Sequence, residues 1–142
     1  MMSLPSGLPE IVASNESIAR FARHSTQYFK QDPKRAKGTL FDPVRGATAL
    51  SVSRVSTLGH EAIRELGASV VAKARNTLKG WCTLPVETVR KTKVGRLNVI
   101  AEESGNNYYH AHIEHFPLEK SLLLELRDEL AEMASDMILV DS

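Results

Sequence analysis

Between Tyr108 and Pro117 the chain reads Tyr-Tyr-His-Ala-His-Ile-Glu-His-Phe-Pro, and three of its five histidines lie there. No other stretch limits the fold as much, because its alternation has a period of two, the period of a strand. Tyr109, Ala111, Ile113 and His115 fall on one face, and Ala111 and Ile113 mark it as the core side. Tyr108, His110, His112, Glu114 and Phe116 fall on the other. Residues two apart stand about 6.5–7 Å from each other along such a face. Two imidazoles can therefore converge on one phosphate, metal or substrate carbonyl, and Glu114 can fix a tautomer. The plainer alternative is a solvated polar strand face.

A strand of this kind needs partners. Ser104-Gly-Asn-Asn107 is a strong turn signal, and it predicts a hairpin between Arg96–Glu102 and Tyr108–Phe116. Ala47–Ser56 alternates as well, with Leu50, Val52 and Arg54 on one face and Ser51, Ser53 and Val55 on the other. Gly80–Leu84 reads as a short extended piece holding Trp81 and Cys82, and Gly38–Pro43 as another anchored by Leu40 and Phe41.

Helices are expected elsewhere. Ser14 and Asn15 offer caps, and Ile18, Phe21 and Ala22 form a stripe, which predicts a helix over Asn15–His24 with a possible run to Phe29. Short helices are expected at His60–Leu66, stopped by Gly67, over Ala68–Arg75, and after Pro85. Leu118, Leu122, Leu126, Leu130 and Met133 form a ridge along a long helix, Leu118–Ser135. The apolar tail Met137–Val140 has three open fates: a strand, docking on the core, or contact with another subunit. The expectation is an α+β fold: a small antiparallel sheet of about three to four strands, packed by an N-terminal helix, short middle helices and a long C-terminal helix. Residues 1–14 would be a flexible arm and residues 15–142 one domain.

A chain of 142 residues suits a single core, and its lone cysteine excludes an intrachain disulfide and fits a reducing, cytoplasmic setting. No apolar run approaches the length of a bilayer span, so no membrane partner is expected. Net charge is +1, yet residues 102–142 hold ten of the seventeen acidic side chains and only two of the eighteen lysines and arginines. The basic remainder, with segments 20–37 and 90–96, leaves a phosphate-backbone partner open, though less favoured than a protein partner. The C-terminal helix, with Leu124 off its ridge, suits a second protein or a second copy of the chain.

Phosphate-loop, dinucleotide, Gly-x-Ser-x-Gly and multi-cysteine zinc patterns are all missing. Two catalytic constellations remain. In one, Cys82 is the nucleophile, His110 or His112 its base and Glu114 or Glu87 the orienting carboxylate. In the other, Arg54 and His24 bind an anion while His110 and His112 share acid and base roles. Zinc needs three or four ligands, and His115 points away from the pair, so neither metal nor cofactor is expected.

From about Ile18 to Ala134 the chain resembles a family of small bacterial proteins. Ala22-Arg-His24, Leu50-Ser-Val-Ser-Arg54 and His110-Ala-His-Ile113, with Pro117 and Lys120 nearby, carry the likeness. The family is the CEHH proteins, named for a Cys-Glu-His-His set and encoded beside E1-like, E2-like and JAB-peptidase genes of ubiquitin-like conjugation systems. The resemblance implies a role as enzyme or accessory factor in ubiquitin-like modification or antiviral defence. Cys82 would be the cysteine, His110 one histidine, Glu87 or Glu114 the glutamate, and His112 or His115 the second histidine.

Overall fold

The computed structural model describes residues 7–44, 46–103 and 107–140. Six strands form one antiparallel sheet in the order β4-β5-β2-β1-β3-β6. They are β1 (Ser17–Ala22), β2 (Ala49–Arg54), β3 (Gly80–Pro85), β4 (Asn98–Ala101), β5 (His110–Glu114) and β6 (Ile138–Leu139). The helices are α1 (His60–Ala72), α2 (Val86–Arg90) and α3 (Lys120–Met133). Three to four strands are thus corrected to six, and the tail at Met137–Val140 supplies one of the additions by pairing with Gly80 and Trp81.

The N-terminal helix does not exist; its residues form β1. The stripe of Ile18, Phe21 and Ala22 misled because β1 lies between β2 and β3 and is covered on both sides. Ile18 and Ala22 enter one core, and Ala19 and Phe21 the other. A strand buried on both faces loses the polar alternation that distinguishes it from a helix. The caps found other work: Ser14 accepts a hydrogen bond from Arg90, and a turn there closes with the Glu16 N–H on the Ala13 carbonyl.

Gly67 does not stop a helix either. It lies within α1, where a Cβ would stand 2.6 Å from Phe21 Cδ1, so α1 approaches the sheet where the side chain is missing. Gly38–Phe41 is a 3-10 turn rather than extended, though Leu40 and Phe41 are its buried anchors as expected. In α3 the buried line is Leu126, Leu130 and Ala131, while Leu118, Leu122 and Met133 of the expected ridge are exposed.

The sheet has two unequal sides. On the first, Leu50, Val52, Cys82, Leu84, Val99, Ala111 and Ile113 meet α2, α3 and the 3-10 turn in the larger core. On the second, α1 covers Ala19, Phe21 and Trp81 through Ile63 and Val71. The β2-β5 portion of that side carries Ser51, Ser53, His110, His112 and Glu114.

The segment before β1 is tied in by charge. Arg54 is fully buried, and its Nε and Nη2 donate to Glu16 Oε1 and Oε2 at 2.8 and 2.7 Å. Leu8 and Val12, inside the stretch 1–14 expected to be a flexible arm, are buried, and Arg90 donates to the Val12 carbonyl. Burial alone would raise the Glu16 carboxyl, but hydrogen bonds from Arg54 and the Ala13 N–H, with the charges of Arg54 and Arg90, hold it below its ordinary 4.5. Its contribution to stability is complete above 4.5 and drains away as pH falls below that value. Arg54→Met, which strands a buried carboxylate, is expected to cost about 3–5 kcal/mol in urea unfolding near neutral pH, with the double variant Glu16→Leu/Arg54→Met recovering most of it. The single variant should also lose the acid-side fall in stability below pH 4.5.

Candidate functional site

The ladder between β2 and β5 assembles the site. Ser53 pairs with His110 and Ser51 with His112, so two hydroxyls and two imidazoles face one side of adjacent strands. The two imidazoles stand edge-on with ring centroids 4.7 Å apart. Ala111 between them and Ile113 after them are fully buried on the opposite side, which holds the alternation in register.

α1 crosses only part of this side, and the step between helix and sheet leaves a groove of about 220 Å³. Val70 and Lys73 line it from the helix end, Phe21, Ser51 and Ser53 from the sheet, and His110 and Asn107 from the hairpin. Lys73 follows the last residue of α1 and brings an exposed ammonium to the rim.

His110 is held by its own hairpin. Its Nδ1 lies 3.0 Å from the Glu102 carbonyl oxygen. A carbonyl only accepts, so Nδ1 carries the proton and Nε2 is left as the ring's acceptor. Half-burial pushes the imidazole below its ordinary 6.5, helped by the charges of His112 and Lys73 and opposed by the Glu102 carbonyl and carboxylate. The neutral, proton-accepting form is therefore favoured at neutral pH. Asn107 is buried in the rim, where its Oδ1 accepts from the Tyr109 N–H at 3.0 Å and leaves the amide NH₂ as a donor.

The other expected residues lie apart from this groove. Cys82 sits on the first side of the sheet, in β3, with β2 and β1 between that strand and β5. Burial pushes its thiol up to about 12, against the pull of Arg20 and Arg35. A thiol so placed cannot form a pair with His110. Arg54 belongs to Glu16, and His24 is exposed beside the 3-10 turn after β1. Glu114 is half-buried on the histidine face, and its nearest ion-pair partner is His115 Nε2 at 3.7 Å. His115 is exposed, with a φ of 73°. Glu87 lies on α2, paired with Lys91 at 2.7 Å. The orienting group for His110 is thus a backbone carbonyl rather than either glutamate.

Lys73, Asn107, Ser51 and Ser53 were not singled out as site residues in the sequence. The serines were legible as the second face of β2, but only strand order reveals that this face adjoins the histidines. Among the described residues, no three His, Cys, Asp or Glu side chains converge as metal ligands. Nor is any helix among them long and apolar enough to cross a membrane. No protein-family model, curated protein or solved structure matches the chain.

Two measurements check this geometry. Long-range ¹H–¹⁵N correlation should show His110 as the Nδ1–H tautomer, with a midpoint below 6.5 that rises when Lys73 is changed to Ala. Iodoacetamide should leave Cys82 unmodified in the folded protein and alkylate it readily in urea.

Proposed function

We propose that the groove between α1 and the open half of the sheet is an acid–base site for a small anionic substrate, with a phosphoester as the favoured class. One observation carries the reading: His110 is fixed by the Glu102 carbonyl as an Nδ1–H tautomer and presents Nε2 as a base in a groove rimmed by an ammonium. His112, its ring edge-on to His110, is the acid partner. Lys73, rather than Arg54 or His24, supplies the positive charge, and the Ser51 and Ser53 hydroxyls with the Asn107 amide supply donors to phosphoryl oxygens. In this reading the protein acts as an enzyme or accessory factor beside ubiquitin-like conjugation, as the CEHH resemblance implies, but through its histidines and without Cys82.

A second reading, assembly with another protein through α3 and the bend before it, is favoured by Leu118 in that bend and Leu122, Leu124 and Met133 in the helix, which are 70, 41, 39 and 37 % exposed. It requires no chemistry from the groove.

A panel of chromogenic phosphomonoesters, phosphodiesters and carboxyl esters tests the first reading. Turnover is expected to fall by about 10²–10⁴ in His110→Ala or His112→Ala. Lys73→Ala should raise KM more than it lowers kcat, and Cys82→Ser should match the parent. Undiminished turnover in folded His110→Ala would contradict the assignment.

A further inference from the structure

Two other cavities, neither sharing a lining residue with the histidine groove, have just two lining residues in common, Phe29 and Lys37. The larger, about 720 Å³, includes the carboxylates of Asp128 and Glu132 in its wall. The smaller, about 370 Å³, has none: Ser25, Thr26, Lys30 and Gln31 join the shared pair there. Its size lies within the range of small-ligand pockets, about 300–1,000 Å³.

Phe29 is 53 % exposed, an expensive position for a phenyl ring, yet its place is fixed. Its N–H donates to the Arg35 carbonyl at 2.8 Å, Tyr28 bridges to Ala36, and the Lys37 N–H donates to the Gln27 carbonyl at 2.9 Å. These backbone bonds set Lys37 across from Phe29, and its ammonium sits 5.1 Å from the ring centroid. The surrounding charge is one-sided, with six basic residues and one acidic between Arg20 and Lys37. Lys34 is paired with Asp32, and Arg35 with Asp136. Among the described residues Lys30 and Lys37 form no ion pair.

We infer that this cavity binds a nucleotide unit, either free or within a single strand. The base stacks on Phe29 in place of the Lys37 ammonium, which turns from the ring to the phosphate, and the phosphate lies between Lys30 and Lys37 with the Ser25 and Thr26 hydroxyls as donors. An acidic peptide would use the two lysines but gain nothing specific from an ordered, solvent-facing ring. A base uses both, because every base has a π-face to stack and a phosphate to neutralise.

Fluorescence anisotropy with a labelled oligothymidylate of about twelve residues tests the assignment, with AMP, inorganic phosphate and poly-glutamate as competitors. Binding should weaken with added salt. It should fall about tenfold in Phe29→Ala and be retained in Phe29→Tyr. Lys30→Ala and Lys37→Ala should weaken it and flatten the salt dependence. His110→Ala should bind like the parent, which separates this site from the groove. Full displacement by AMP identifies the free nucleotide as the ligand, and resistance to AMP identifies the strand. The inference is overturned if the oligonucleotide does not bind at low salt, if folded Phe29→Ala binds as well as the parent, or if poly-glutamate competes as effectively as nucleotide.

Discussion

A guanidinium with no exposure to water must bring its counter-charge inside with it, and the Arg54–Glu16 pair meets that demand. Glu16 directly precedes β1 and Arg54 closes β2, so the pair clamps the two central strands at one end. The same register, Ile18 opposite Arg54 and Ala19 opposite Ser53, passes through β2 to β5 and sets Ser53 opposite His110. A slip of one residue would turn Ser51 and Ser53 into the larger core and Leu50 and Val52 into the groove. The histidine row thus owes its company to an ion pair that takes no part in its chemistry.

Arginine is used in the same way elsewhere. Arg20 donates to the Leu40 and Ser51 carbonyls, and Arg90 to Val12, Ser14, Asn98 and Val99. Arg35 caps the end of α3 through the carbonyls of Glu132 and Ala134. Arg20, Arg35 and Arg90 thus spend their donors largely on backbone oxygens. The lysines are exposed or only part-buried, and Lys73 lines the histidine groove while Lys30 and Lys37 line the smaller of the two other cavities.

How much could be read in advance follows from burial. β5, β2 and the β4-β5 hairpin were legible because each has one apolar and one polar face. β1 was not, since both of its faces are covered, and β6 was left open because two residues carry no period. The His110–His112 pair was legible from spacing alone. Its partners were not, because Ser51, Ser53, Lys73 and Asn107 meet it through sheet order and helix placement, which local pattern does not encode. Cys82 looked nucleophilic in a linear reading only because the sequence gives no sign that the sheet lies between it and the imidazoles.

The absent side chain at Gly67 has a consequence beyond packing. A helix normally rides on a sheet at a height set by the side chains beneath it, but here α1 settles directly onto the Phe21 ring. Its last turn therefore sits low over the serines, and the ammonium of Lys73 hangs at the lip of the hollow instead of high above it. One missing methyl, a full helical turn and more away, sets how deep a pit the His110 imidazole looks into.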